Sequence, residues 1–196
     1  MLNCRLIACL ASNASPLPRI GTGGEGKTNQ AMNITFHHLE NTTTSFFHEL
    51  FHSSFYKPPG EPPLPFEAIR NPELRRYYEY WGKDGDLGFI VAKDGEEVGA
   101  IWSRRFPQEE PGYGFVAADV PEFGIAIKKS ERGGGIGKQL MDHFLDALRE
   151  RGDQQVSLSV HGDNHAAQWY ERMGFRTVAF DGRMMTMVLD LQELGD

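Results

Sequence analysis

Cysteine is almost missing from this chain: 196 residues contain two, Cys4 and Cys9, both near the N-terminus. That excludes a disulfide framework or a cysteine-built zinc site for everything downstream, and it makes the reducing cytoplasm the expected compartment. Long apolar runs are also missing. Leu6-Ile7-Ala8-Cys9-Leu10-Ala11 behind Arg5 is shorter than a signal-peptide core and far too short to cross a bilayer, so neither export nor a membrane partner is expected. Positive charge is not in excess. With Lys and Arg numbering 20 against 27 Asp and Glu, the formal charge is -7, which argues against general affinity for nucleic acid. What remains is 40% hydrophobic and 24% charged, enough to bury one real core and with nothing to suggest a second domain.

Residues 1–31 read as a disordered leader and residues 32–196 as the folded domain. The leader holds Gly21-Thr22-Gly23-Gly24-Glu25-Gly26-Lys27-Thr28, which satisfies the phosphate-loop pattern of nucleotide-binding proteins. That loop works only between a buried strand and a helix. Here Pro16 and Pro18 precede it, and Asn29-Gln30-Ala31-Met32-Asn33 offers no apolar helical face, so the context excludes a nucleotide site.

The most informative stretch is Pro121-Glu122-Phe123-Gly124-Ile125-Ala126-Ile127, followed by Arg132-Gly133-Gly134-Gly135-Ile136-Gly137-Lys138. It reads as a strand, a glycine turn and an amphipathic helix carrying Ile136, Leu140, Met141, Phe144, Leu145 and Leu148 at helical spacing, with Gly152 as the stop. Glycines let backbone N–H groups converge where a Cβ would block close approach, and the helix start adds partial positive charge, so an anion is expected there. The dinucleotide fingerprint fails because Lys138 takes its last glycine position. The phosphate-loop pattern fails as well: Glu131 or Arg132 stands where its first glycine belongs, and Gln139 follows Lys138. Lys128, Lys129, Arg132 and Lys138 gather at the turn, either for an anionic cofactor or as a solvated helix entrance.

Arg132, Gly135 and Gly137 form Arg-x-x-Gly-x-Gly, and after a strand-like run at 155–160 comes Asn164-His165-Ala166-Ala167-Gln168-Trp169-Tyr170-Glu171-Arg172-Met173-Gly174-Phe175. In this order the two motifs resemble the coenzyme-A site of the GNAT acyltransferases. The resemblance covers roughly residues 33–191 and is strongest from Glu122 onward. It implies an α+β fold, a mixed and mostly antiparallel sheet flanked by helices, and acetyl-CoA as cosubstrate with no metal. It further implies that the backbone of Ile125, Ala126 and Ile127 pairs with the pantetheine arm, and that Arg132, Gly133, Gly134, Gly135, Ile136, Gly137 and Lys138 hold the pyrophosphate. Asn164 is similar to the family's cofactor-contacting asparagine, although it stands one residue closer to Tyr170 than the commonest form of the motif. Tyr170 resembles the tyrosine that donates a proton to the departing thiolate. His165 reads as an exposed residue of the first helical turn.

Glu122 resembles the acidic residue that often serves this family as general base, against the alternative of an exposed strand-end charge; the face it occupies decides between them. With no cysteine in the domain, the resemblance implies direct attack by an amine, of a small molecule or a protein, on the thioester. The alternative is a non-catalytic acyl-CoA-binding sensor, and either a monomer or a homodimer is compatible with the chain.

The rest of the sequence supplies the frame. A first strand at 34–39 precedes a helix capped by Asn41-Thr42-Thr43 and running through Phe46, Phe47, Leu50, Phe51 and Phe55, a stiff proline loop at 57–65, and a second helix at 72–81 with Leu74, Tyr77, Tyr78 and Trp81 as a core stripe. A hairpin at 87–92 and 97–106 turns at Asp94-Gly95. The loop at 107–120, with Glu109, Glu110, Tyr113 and Phe115, is the candidate acceptor side, and two strands through Val178 and Met187 close the chain.

Overall fold

The computed structural model describes residues 33–192. The leader, with its phosphate-loop look-alike and both cysteines, lies outside them. Within them a sheet of seven strands runs in the order β1 (Ile34–His38), β2 (Leu87–Lys93), β3 (Glu96–Arg104), β4 (Glu122–Ile127), β5 (Gln155–His161), β7 (Met184–Asp190), β6 (Arg176–Phe180). Every neighbouring pair is antiparallel except β4 with β5, which is parallel. This is the mixed, mostly antiparallel α+β arrangement expected from the sequence.

Local chemistry explains the elements. Asp94 and Gly95 both adopt positive φ, at 51° and 86°, which is the twist a two-residue hairpin turn needs between β2 and β3. The helix α3 (Ile136–Arg151) buries all six residues of its apolar stripe, and Gly152 at φ 87° ends it by donating to Arg149 and Leu148 carbonyls. The helix α1 (Ser45–Ser53) starts at Thr44, whose side chain accepts the Phe47 N–H. It stops short of Phe55, through which the sequence predicts it to run.

The second helix departs further from expectation. In place of a helix at 72–81 there is α2 (Pro72–Arg75), a single turn, and the chain from Arg76 to Tyr80 loops instead. Arg104 is the reason. Its buried guanidinium takes up the carbonyls of Arg76, Glu79 and Tyr80 at 2.6, 2.8 and 3.4 Å and pairs with Asp86 at 2.6 Å, and Tyr80 is drawn to φ 53°. A long-range arginine thus overrides the local helical pattern.

The sheet separates two cores. On one face α3 and α4 (Ala166–Arg172) pack over Phe123, Ile125, Ile127, Val156, Leu158 and Val160. On the other, α1 and the segment after α2 cover Ala100, Trp102 and Ala126 with Phe47, Phe51, Tyr77 and Tyr78. Among the described residues no helix is long and apolar enough to cross a membrane.

Candidate active site

The site is built where the sheet changes direction. β4 and β5 share one residue pair, Glu122 with Ser157, whose bond runs from the Ser157 N–H to the Pro121 carbonyl at 2.9 Å. Past that pair the two strands form no ladder, so edge-type backbone groups of β4 are available between them. The acceptor-side loop holds the start of this gap. A Cβ on Gly114 would lie 2.5 Å from Leu158 C and 2.7 Å from Ser159 N, so the loop backbone rests directly on β5 and admits only glycine there.

On the α3 side stands the glycine turn. Gly133 and Gly135 have φ of 84° and 83°, a region that an ordinary side chain enters only with strain. The N–H groups of Lys138 and Gln139 both close on the Gly135 carbonyl, whereas those of residues 133–137 make no hydrogen bond of ordinary geometry to a described residue. They stand at the N-terminus of a four-turn helix, which suits a diphosphate. Arg132 pins the turn to the end of β4 through an Nε–H bond to the Ile127 carbonyl at 2.9 Å. Of the neighbouring cations, Lys128 pairs with Glu96 at 2.7 Å and Lys138 with Asp142 at 2.6 Å. Beside the turn, a cavity of about 370 Å³ opens between α1 and Lys128, Lys129 and Arg132.

The α4 motif lies against the same face. Tyr170 is fully buried, its ring 6.0 Å from Phe123 of β4 and 5.4 Å from Phe175. Asn164 is buried as well, and its Oδ1 accepts the Ala166 N–H at 3.0 Å, capping the start of α4. His165 is exposed, as expected.

Glu122 projects to the opposite face, with Gly124 and Ala126. It is 2% exposed, which overturns the reading of it as an exposed strand-end charge. No bulge interrupts the register of β3 with β4. The Tyr77 hydroxyl donates to Glu122 Oε1 at 3.1 Å, and the Tyr77 oxygen accepts the Tyr113 N–H at 2.7 Å. Burial pushes the Glu122 carboxyl from its ordinary 4.5 up to about 7, while the Gly114 N–H, the Tyr77 hydroxyl and the Arg76 charge pull it partly back. Burial, then the Glu122 charge, raises the Tyr77 phenol well above its usual range. A carboxyl poised near neutrality can exchange a proton at physiological pH. Gly112 lies flat against Oε2, where any Cβ would overlap it, and Gly112 also lines a cavity of about 420 Å³ with Arg76, Tyr113, Ser159, Asp181 and Met184.

Sequence reading missed Tyr77 as a site residue: its spacing with Leu74 and Tyr78 marks a core stripe, and its body does lie in the core. Gly112 and Gly114 were equally hidden, since their contacts are with strands distant in sequence.

The model of the acetyltransferase (GNAT) family matches residues 45–175, well over half of the chain, and the chain belongs to that family. A mycothiol acetyltransferase of Saccharomonospora viridis is 32% identical over 127 residues, 63% of this chain and 39% of that protein. N-alpha-acetyltransferase 30 of Schizosaccharomyces pombe is 31% identical over 113 residues, 46% of this chain and 75% of that protein. The chain spans well under half the length of the mycothiol acetyltransferases it matches. Two solved structures share the fold. A ribosomal-protein-alanine N-acetyltransferase of Brucella melitensis has TM-score 0.56 at 18% identity over 80% of this chain and 99% of its own. An acetyltransferase structure from Salmonella typhimurium with its cofactor acetyl-CoA has TM-score 0.59 at 16% identity over 83% and 96%.

Proposed function

We propose that the chain is an acetyl-CoA-dependent N-acetyltransferase that moves an acetyl group to a primary amine of a small molecule or a protein. The observation carrying this reading is the opposition across β4 of the glycine turn at residues 133–137, which opens α3, and the buried Glu122 carboxyl. Acetyl-CoA supplies the activated acyl group when bound. The amides of residues 133–137 and the Lys138 charge hold its diphosphate, the backbone of Ile125, Ala126 and Ile127 pairs with its pantetheine arm, and Arg132 keeps the turn in place. Asn164 fixes the turn that leads into α4.

Glu122 takes the proton of the attacking amine, and Tyr170, on the thioester side, protonates the departing thiolate. The acceptor enters through the cavity beside Gly112. A carboxyl held near pH 7 in a dry site favours this enzyme over a binding-only sensor, which has no use for a costly buried acid. The names of the relatives suggest two acceptor classes for trial, small amines of the mycothiol type and the α-amines of proteins. We assign the protein to the cytoplasm, as a monomer or homodimer.

Thiol release from acetyl-CoA, measured across a panel of small amines and N-terminal peptides, tests the reading. Release with at least one acceptor is expected. Binding of acetyl-CoA without release for every amine tried identifies a sensor instead.

A further inference from the structure

Tyr77 comes from the looped segment after α2, far from every motif that points to the cofactor, yet its hydroxyl is the only described side chain hydrogen-bonded to Glu122. The direction of this contact is set by chemistry. A backbone N–H only donates, so the bond from Tyr113 N–H occupies the phenol oxygen and leaves the single phenol proton for Glu122 Oε1. Oε1 is therefore committed as an acceptor. The other oxygen, Oε2, makes no hydrogen bond of ordinary geometry to a described residue and lies under Gly112, which lines the acceptor cavity.

We infer that Tyr77 is a positioning residue of the transfer reaction, joining the acceptor loop to Glu122 and committing Oε1, so that the proton is taken by Oε2 beneath Gly112. The inference rests on the reading of Glu122 as the base. The proton released by the amine nitrogen goes to Oε2, and the Tyr77 proton stays on its own oxygen. Because Tyr113 belongs to the loop, seating of the loop polarises the phenol and strengthens its bond to Glu122; lifting the loop weakens it. The acceptor loop thereby reports its position to the base.

The other charged groups around Glu122 leave this role to Tyr77. Arg76, from the same segment, spends its guanidinium on the Glu73, Glu110 and Pro111 carbonyls. Arg104, the β3 register partner of Glu122, is tied to Asp86 and three carbonyls. Glu73 accepts the Tyr113 hydroxyl at 3.2 Å, and β5 presents Gln155, Ser157, Ser159 and His161 on this side, the histidine meeting Arg183 at 3.3 Å. Asp181, across the cavity, accepts the N–H groups of Arg183 and Met184.

The test is a carbon NMR titration of the Glu122 carboxyl, with Glu122→Gln used to identify its resonance, alongside the pH profile of kcat/KM. Tyr77→Phe removes the donor and should move both midpoints upward by roughly one pH unit, the tenfold change in proton affinity expected for one hydrogen bond to a charged group. Replacing Tyr77 with fluorotyrosine keeps the shape, sharpens the donor and should move both midpoints downward. That variant decides the matter should Tyr77→Phe fail to fold. Midpoints that stay at the wild-type value in a folded, coenzyme-A-binding variant overturn the inference. A wild-type rate and pH limb in Glu122→Gln would instead sink the base reading, while the NMR midpoints still measure the coupling to Tyr77.

Discussion

The two faces of β4 are built from alternate residues of one six-residue strand, and they solve opposite problems. Phe123, Ile125 and Ile127 point into an entirely apolar layer beneath α3 and α4, where each fully buried large side chain contributes about 1.5–3 kcal/mol. Glu122, Gly124 and Ala126 point the other way. There the residues are small or charged: Gly124 lies against the Trp102 indole, with a built Cβ 2.6 Å from its ring, and Glu122 is sealed in with Tyr77. Cohesion is concentrated on one face and the buried carboxyl stands on the other. A strand that alternates can thus carry a stable core and a destabilising buried acid within one element.

Breaking the chemical face should give the largest effect. Glu122→Gln is expected to lower kcat/KM by about 10²–10⁴-fold and to abolish a limb in which activity rises with pH through about 7. Its stability should move the other way. A carboxyl whose folded value is raised to about 7 from 4.5 favours the folded state below pH 4.5, and that contribution is lost as pH rises through 7. At pH 8 the Gln variant should therefore be more stable than wild type by up to about 3 kcal/mol, and at pH 4 it should hold no such advantage, as denaturant titrations at the two pH values would show.

Arg104→Ala tests whether the same face is held by its buried ion pair. Stranding Asp86 and three carbonyls should cost about 3–5 kcal/mol, read as a lower denaturation midpoint. Gly114→Ala sharpens the contrast without removing a charged group. Its Cβ collides with the β5 backbone, so a loss of about 1–3 kcal/mol is expected, together with reduced kcat/KM and unchanged coenzyme A affinity. Gly135→Ala probes the cofactor side. With φ at 83° and open space around the new methyl, it should add only about 1–2 kcal/mol of backbone strain, weakening coenzyme A binding in calorimetry while leaving the pH limb in place. Loss of the limb in Gly135→Ala would erase the division between the faces.

Legibility in the sequence followed the range of the forces involved. The α3 stripe, the Gly152 stop, the Asp94-Gly95 turn and the strand–turn–helix unit all depend on neighbours within a few residues, and all stand as read. The second helix did not, because Arg104 reaches back 24 to 28 residues to take its carbonyls. The burial of Glu122 was undecidable for the same reason. Its lid is a loop that precedes β4, and its partner Tyr77 lies 45 residues upstream, so no periodicity records either contact. The roles assigned to Tyr170, Asn164 and the glycine turn came from motif resemblance, which is local by nature.

The single residue pair Glu122–Ser157 means that, in the sheet ladder, strands β1–β4 and the group β5, β7, β6 are stitched at one place. Inner amides of β4 beyond that stitch should therefore trade deuterium faster than those facing β3, despite equal depth in the protein. A guest that lays its own amides along this seam would slow the trade on one edge alone, giving an isotopic fingerprint of docking that precedes any chemistry.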